Sequence, residues 1–252
     1  MSSALAYPRI VAIPGFGGSG ADYAPLIHRM SDWSWTPLTW PGCAGTEYDP
    51  ATFSYQADSL CAWLSHVLRP NDVLMGYSMG GRLVYQAISR GLPLAGAVII
   101  GAVPGIEGAE KRRARQLADQ QLAARIRDIG VSAFHQEWAQ RPLINTQQRI
   151  ASPYREEQAL RRLDNALDGL VDALKYFGQG VVRPEAELIC RMEVPTLLVT
   201  GAEDTKYTEL AADLAERWPA AEHATLEAGH AAHLESPEEM AKLVEEFWRC
   251  RL

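Results

Sequence analysis

The sequence predicts an α/β protein in which helices cover both faces of a mainly parallel sheet and an inserted helical cap interrupts the strand order. Short apolar runs bounded by Gly or Pro alternate with segments of helical periodicity, which is typical of βα units. One gap between two runs is far too long for a single crossover. The length of 252 residues suits one large domain that carries a moderate insertion.

The predicted strands are short apolar runs, as expected for a parallel sheet that is buried on both faces. Five or six runs qualify, at residues 10–13, 36–40, 73–77, 95–100, 195–200 and, most weakly, 224–227. Near the end of the chain, Ser236 followed by Pro237 indicates the start of the last helix, with Ser as the N-cap and Pro at the first helical position.

The long gap between the fourth and fifth strands has mostly helical patterning. Leu, Ala, Ile, Trp and Tyr recur at helical spacing in residues 110–127, 131–140 and 155–177. We therefore expect residues 1–103 and 193–252 to form the α/β core and residues 104–192 to form the cap.

Composition and charge exclude several classes of partner. A formal charge of −7 disfavours a general nucleic-acid binder, which needs a basic face. The four cysteines form no C-x-x-C pair, and no cluster of ligands has metal-binding spacing, so we expect neither a metal nor an organic cofactor. The N-terminal stretch lacks the pattern of a signal peptide, and no apolar segment is long enough to span a bilayer. These features predict a cytoplasmic monomer or small homo-oligomer that does not bind membranes.

A candidate nucleophile lies in Gly76-Tyr77-Ser78-Met79-Gly80, between a predicted strand and a predicted helix. This G-x-S-x-G pattern suits a sharp strand-to-helix turn, because the serine takes a strained backbone conformation and the flanking glycines avoid side-chain clashes. The pattern indicates an α/β-hydrolase fold with Ser78 at the reactive centre.

A serine hydroxyl needs an adjacent base that a third group orients. In this fold the partners follow in the order acid, then histidine, on loops after core strands. Asp204 follows the fifth predicted strand and His230 follows the sixth. The alternatives are Glu203, one residue before the acid, and His233.

The glycine-rich stretch 13–20 follows the first predicted strand, where this fold supplies one N–H of the oxyanion hole. The backbone N–H groups of Phe16 and Met79 are therefore the predicted pair of donors. The stretch lacks the Lys-Ser/Thr of a P-loop and the spacing of G-x-G-x-x-G, which argues against a nucleotide site.

Arginine is concentrated in the predicted cap. Residues 112–162 contain ten arginines, no lysine and five acids, so this window is +5 whereas the rest of the chain is −12. Most of these side chains can be solvated, but two or three that face Ser78 would select an anionic small-molecule substrate, because the guanidinium fork binds carboxylates. Arg82 lies one helical turn after Ser78 and could face the same pocket.

The stretch Gly76–Arg82, the stretch Gly229–His233 and the Arg-rich cap resemble the MenH family over nearly the whole chain. This family comprises the 2-succinyl-6-hydroxy-2,4-cyclohexadiene-1-carboxylate synthases of menaquinone biosynthesis. Two loops depart from the family pattern: Pro14 replaces the usual histidine before Gly-Phe, and residues 40–45 replace the usual Asp-Leu-Pro-Gly-His-Gly.

The resemblance implies a lyase that eliminates pyruvate from a succinyl-cyclohexene dicarboxylate, with His230 and Asp204 activating Ser78 as a base. The residues that it implies for holding or lining the substrate are Tyr77, Arg82, Arg115, Trp138 and Arg161. The alternative activity is a serine hydrolase that acts on carboxylic esters, thioesters or C–C bonds. A non-catalytic binding protein is disfavoured, because all three candidate triad residues are present.

Overall fold

The computed structural model describes residues 7–251 and consists of a six-stranded parallel sheet with helices on both faces. The strand order is β2-β1-β3-β4-β5-β6. The strands are β1 (Ile10–Ile13), β2 (Trp35–Pro37), β3 (Val73–Tyr77), β4 (Gly96–Ile100), β5 (Thr196–Gly201) and β6 (Ala221–Leu226). This arrangement confirms the predicted fold class. The N-terminal residues on which the prediction about a signal peptide partly depends, 1–6, lie outside the described residues.

The helices of the core connect successive strands or follow the last strand. They are α1 (Ala24–Arg29), α2 (Ala57–Ser65), α3 (Met79–Ser89), α9 (Thr205–Arg217), α10 (Ala232–Glu235) and α11 (Pro237–Arg249). A short 3-10 helix, Gly20–Tyr23, leads into α1. Ser236 occupies the N-cap position of α11 and Pro237 is its first residue, as predicted, but the Ser236 hydroxyl donates to the carbonyl of Glu227 at 2.9 Å and makes no capping hydrogen bond.

Every regular element between β4 and β5 is helical. They are α4 (Ala109–Ala139), α5 (Pro142–Asn145), a 3-10 helix (Thr146–Arg149), α6 (Tyr154–Leu163), α7 (Leu167–Phe177) and α8 (Ala186–Ile189). We refer to residues 104–192 as the cap. Gly130, at φ 77° and ψ 169°, kinks α4 where the sequence predicts two helices. The third predicted helix is divided between α6 and α7, because the intervening Asn165 side chain bonds to the loops at Gly17 and Ala44.

Successive side chains of the central strands point to opposite faces of the sheet, so the core consists of two clusters, one on each face. Val11 and Leu74 point into one cluster, which includes side chains of α2, α3, α7 and α9. Ile10 and Val73 point into the other, which includes side chains of α1 and α11. Both faces are therefore buried, as the continuous apolar runs predict.

The two edge strands differ most from their predicted bounds. β6 begins at Ala221, before the predicted residue 224, because this edge strand includes exposed polar residues that an apolar-run criterion misses. β2 ends at Pro37, and Trp40, predicted within it, instead lies buried beneath the loop after β1. Among residues 7–251, the structure contains no helix with the length and hydrophobicity that a membrane span requires.

Candidate active site

Ser78 occupies a strained turn between β3 and α3, with φ 50° and ψ −106°. A non-glycine residue in such a conformation costs about 1–3 kcal/mol, which the surrounding structure must offset. A Cβ on Gly80 would lie 2.2 Å from the carbonyl oxygen of Ile13, and one on Gly76 would lie 2.5 Å from backbone atoms of Gly80. The glycines are therefore required by close backbone approach, and the turn presents the Ser78 hydroxyl at the carboxyl edge of the sheet.

His230 connects Ser78 to Asp204. Its Nε2 lies 3.1 Å from the Ser78 Oγ and its Nδ1 lies 2.5 Å from an Asp204 carboxylate oxygen. Because the carboxylate can only accept, Nδ1 carries the proton and Nε2 is left as an acceptor for the serine hydroxyl. His230 and Asp204 are 2% and 5% exposed, so the pair is shielded from water. The arrangement can remove a proton from Ser78.

The two rival residues lie elsewhere. Glu203 points to the surface and pairs with Arg149, although it adjoins Asp204. His233 is buried between the rings of Tyr23 and Tyr77, at centroid distances of 5.1 and 4.6 Å. Neither of its ring nitrogens has a hydrogen-bond partner in the described part of the chain. The structure thus brings Asp204 and His230, and neither alternative, into line with Ser78.

Because His233 is buried, we expect the folded protein to lose stability in acid. Burial, with a smaller effect of His230, lowers the pKa of His233 to about 3. The unfolded chain therefore takes up the proton first, and stability present above about pH 6.5 is lost as the pH falls toward 3. Between pH 6.5 and pH 5 this residue should remove about 2 kcal/mol from the free energy of unfolding. Urea unfolding of the wild type and of His233→Phe at both pH values measures the contribution of His233 to this loss of stability.

Replacement of the exposed His66 provides the control for this measurement. We expect His66→Gln to retain the wild-type dependence on pH, whereas His233→Phe should flatten it. An equally steep loss of stability in His233→Phe and the wild type would show that other groups cause the acid sensitivity.

The predicted oxyanion donors line the same cavity as Ser78. Within residues 7–251, the backbone N–H groups of Phe16 and Met79 donate to no protein acceptor. The indole Nε1 of Trp40 donates to the carbonyls of Pro14 and Gly15, at 2.9 and 3.1 Å, and so holds the loop that carries Phe16. Two free N–H groups beside the serine can stabilise an oxygen that gains negative charge.

A cavity of about 480 Å³ opens over Ser78 and His230 between the core and the cap. Its size is within the range of pockets that bind small molecules. Core residues that line it are Phe16, Ser78, Met79, Arg82, Tyr207 and His230. Cap residues that line it include Arg115, Asp119, Trp138, Arg141, Ile144 and Gln179.

Arg82 provides a buried positive charge in this cavity. It is 8% exposed, and burial, together with the nearby Arg115, lowers its pKa to about 10, so it remains charged at neutral pH. One guanidinium nitrogen donates to the carbonyl of Phe177 at 3.1 Å, and Nε has no hydrogen-bond partner among the residues that the structure describes. No carboxylate within the described residues forms an ion pair with Arg82. A buried cation without a counter-ion favours an anionic ligand.

Arg115 also lines the cavity, but its guanidinium is paired with Asp119, an acid that was not predicted at this site. Nε and Nη2 of Arg115 donate to one oxygen of Asp119, at 2.9 and 2.7 Å, and Nη1 donates to Gln179 at 3.0 Å. Asp119 is 3% exposed. Its position one helical turn after Arg115 was a usable signal, because such pairs meet on a helix surface.

Of the remaining predicted binding residues, two line a cavity beside Ser78 and one does not. Trp138 lines the main cavity with its ring 5.6 Å from that of Phe16. Tyr77 lines a smaller cavity of about 30 Å³ beside Ser78. Arg161 differs from the expectation that it holds a carboxylate of the substrate, because it lines neither of these two cavities.

Arg161 instead connects the cap to the core. Its Nη2 donates to the buried carboxylate of Asp22 at 3.2 Å, and its Nη1 lies 3.6 Å from Glu157. The same Asp22 carboxylate accepts from the backbone N–H of Ser19 at 3.1 Å. The protein's own acids thus pair with the guanidinium, and α6 is held against the 3-10 helix Gly20–Tyr23.

Tyr207 is a further cavity residue that the sequence analysis missed. Its ring packs against His230 at a centroid distance of 4.9 Å, and its hydroxyl accepts from Gln179 at 3.4 Å. It lies three residues after Asp204, in the first turn of α9. The start of α9 therefore supplies a wall of the pocket, next to the loop that supplies the carboxylate.

Comparison with known proteins agrees with the fold. The model of the alpha/beta hydrolase family matches residues 10–243. A 2-succinyl-6-hydroxy-2,4-cyclohexadiene-1-carboxylate synthase of Escherichia coli strain UMN026 is 33% identical, and the match covers 91% of this chain and 89% of that protein. Its homologue from Escherichia fergusonii is 32% identical with the same coverage.

The solved structure of MenH from S. aureus has a TM-score of 0.88 at 24% identity, and covers 96% of this chain and 93% of that one. An identity below 25% shows the shared fold, whereas the sequence relatives show the family. These findings confirm the resemblance inferred from the motifs. The chain belongs to the alpha/beta hydrolase family and, within it, to the family of the 2-succinyl-6-hydroxy-2,4-cyclohexadiene-1-carboxylate synthases.

Proposed function

We propose that this chain is a lyase that eliminates pyruvate from a succinyl-cyclohexene dicarboxylate and forms 2-succinyl-6-hydroxy-2,4-cyclohexadiene-1-carboxylate. The observation that carries the proposal is the buried Arg82, which has no carboxylate partner among residues 7–251 and lines the same cavity as Ser78 and His230. The names of the relatives support the identity of the product. The reaction would belong to menaquinone biosynthesis.

In this proposal Ser78 acts as a base. Nε2 of His230 accepts the hydroxyl proton over 3.1 Å, and the serine oxygen abstracts a proton from a ring carbon of the substrate. Asp204 holds the imidazole in the tautomer that this transfer needs and stabilises the imidazolium that forms. The burial of the pair keeps water from competing for the proton.

The electrons of the broken C–H bond form the second ring double bond as the C–O bond to the enolpyruvyl group breaks. The departing enolate takes a proton back from the imidazolium of His230 and becomes pyruvate, so the triad returns to its starting state and no water is consumed. The N–H groups of Phe16 and Met79 stabilise the oxygen that gains negative charge. A hydrolase would need the same donors, which is why related enzymes can share this framework.

Arg82 and Arg115 hold carboxylates of the substrate in this proposal, and Trp138 lines the pocket. Asp119 already accepts from two nitrogens of Arg115, so Arg82 offers the less compensated charge. The cap, residues 104–192, supplies Arg115 and Trp138 and thereby closes the site from above. We propose a cytoplasmic location, as expected for an enzyme that acts on small anions.

The decisive measurement combines pyruvate release with diene formation. Lactate dehydrogenase and NADH report pyruvate from the menaquinone precursor, and near-ultraviolet absorbance reports the conjugated ring diene. Elimination predicts equal amounts of both. Hydrolysis of the enol ether would release pyruvate without a second ring double bond, and turnover of p-nitrophenyl esters without any pyruvate would support the carboxylic ester hydrolase instead.

A further inference from the structure

A second cavity lies beside the catalytic one and shares a wall with it. Its volume is about 450 Å³, close to the 480 Å³ of the cavity over Ser78. Arg115 and Gln179 line both cavities, whereas Ser78 and His230 do not line the second. We call the second one the side cavity. No step of the proposed reaction uses it, yet its size is within the range of pockets that bind small molecules.

The side cavity lies where the loop after β4 meets α4 and α9. This loop, at residues 103–107, follows the carboxyl end of a central strand, which is where open α/β sheets bind ligands. The backbone N–H of Glu185 donates to the carbonyl of Pro104 at 3.1 Å. A Cβ on Gly105 would lie 2.6 Å from the carbonyl oxygen of Arg183. The loop is therefore packed in place, and a preformed cavity costs a ligand less in ordering the protein.

The floor of the side cavity is apolar. Leu214 and Val103 are 2% and 6% exposed, so the deepest lining side chains present hydrocarbon. Leu210 lies one turn before Leu214 on α9 and is 42% exposed. Apolar surface left in water favours a ligand whose hydrocarbon covers it. The apolar lining residues are Val103, Pro104, Ile106, Ala186, Leu210 and Leu214.

The rim of the side cavity is basic. Four cations and two acids line it, a net charge of +2 in a chain whose formal charge is −7. All of them except Arg115 are exposed, so they lie at the mouth of the cavity and not at its floor. These residues are Lys111, Arg115, Lys206, Arg217, Glu107 and Asp213.

The two lysines of the rim are not compensated by an acid. Both arginines of the rim already pair with carboxylates, at 2.7 and 2.9 Å. In the described part of the chain, Lys242 is the only lysine that forms an ion pair. Lys111 and Lys206 therefore keep ammonium groups that can donate charge-assisted hydrogen bonds to an anion.

We propose that the side cavity is a second binding site, for a small carboxylate that carries an apolar chain or ring. The hydrocarbon packs on the floor against Leu210 and Leu214, and the carboxylate faces Lys111 and Lys206 at the rim. A neutral ligand leaves these lysines without a partner, and a hydrophilic anion leaves the apolar floor uncovered. The inference goes beyond the proposed reaction and does not depend on it, because no triad residue lines the side cavity.

Isothermal titration calorimetry with octanoate tests this site, with 1-octanol as the probe that lacks the charge and acetate as the probe that lacks the chain. Octanoate should bind at least about fivefold more tightly than either, because it alone meets both the rim and the floor. Arg82→Met removes the uncompensated cation of the catalytic cavity and should bind octanoate within about twofold of the wild type, since Arg82 does not line the side cavity.

Two kinds of variant test the rim and the floor separately. Lys111→Gln and Lys206→Gln should each weaken octanoate binding about threefold and leave 1-octanol binding unchanged, as expected for exposed charges. Leu210→Asp places a carboxylate beside that of the ligand and should weaken octanoate binding at least about tenfold. Leu188→Asp is the matched control, because Leu188 is 45% exposed and does not line the side cavity. It should bind octanoate as the wild type does.

Three results would overturn the proposal. The first is octanoate that binds no more tightly than 1-octanol, and the second is an equal loss of affinity in Leu210→Asp and Leu188→Asp. The third is loss of octanoate binding in Arg82→Met, which would place the anion in the catalytic cavity. The titrations need no turnover, so failure of the pyruvate assay would refute the lyase activity and leave the side cavity to be judged by binding alone.

Discussion

Ser78→Ala is expected to lower pyruvate release by at least about 10⁴-fold, because the residues of a triad act as a unit and loss of the serine removes the whole of their effect. The substitution deletes the hydroxyl that lies 3.1 Å from His230 and leaves the backbone turn in place. The coupled pyruvate assay measures the loss. Thermal unfolding should give a Tm close to that of the wild type, since alanine adds no new contact at this position.

The control for this variant is Ser65→Ala, at the exposed end of α2, where the hydroxyl donates to the carbonyl of Ala62 in the same helix. It should retain wild-type activity. If Ser78→Ala kept more than a tenth of the wild-type rate, the base would have to be another group, and the assignment of Ser78 would be wrong.

Arg82→Met is expected to lower kcat/KM for the anionic substrate about 100-fold, mainly through KM, because loss of one partner of a desolvated charge pair is costly. Methionine fills much of the same space without the charge. Fluorophosphonate modification of Ser78 should remain near the wild-type rate, because that reagent carries no carboxylate. Stability should not fall, since Arg82 is a buried cation without a counter-ion in the described residues.

Arg113→Met provides the matched control, because Arg113 is an exposed arginine of the cap that does not line the cavity. Its kcat/KM should stay within about twofold of the wild type, as is usual for an exposed side chain away from a site. An unchanged kcat/KM in Arg82→Met would refute the assignment of Arg82 to a substrate carboxylate. A loss of Ser78 modification in that variant would indicate damage to the triad instead.

The reactive turn was predictable because short-range sterics determine it. Gly76, Ser78 and Gly80 lie within one strand-to-helix turn, and the clashes that exclude larger side chains involve nearby backbone. The places of Asp204 and His230 were predictable for a related reason. The carboxyl ends of parallel strands meet at one edge of the sheet, so loops after successive strands converge there.

The orientation of the cap arginines was harder to predict from the sequence. Periodicity identifies the faces of a helix but does not state which neighbour each face meets. Arg115 turns toward the cavity, whereas Arg161 turns to Asp22, which is 139 residues away along the chain. The pairing of Arg115 with Asp119 could have been inferred from their spacing, but not its position inside the pocket.

Apolar periodicity and local backbone sterics suffice to predict the α/β order, the helical insertion and the strained turn at Ser78. The choice between Asp204 and Glu203, and that between His230 and His233, required the three-dimensional arrangement of the loops. The contact of His230 with Ser78 joins residues 152 positions apart. Such a contact depends on how the strands pair and on what the cap covers, and neither is encoded in the local pattern around either residue.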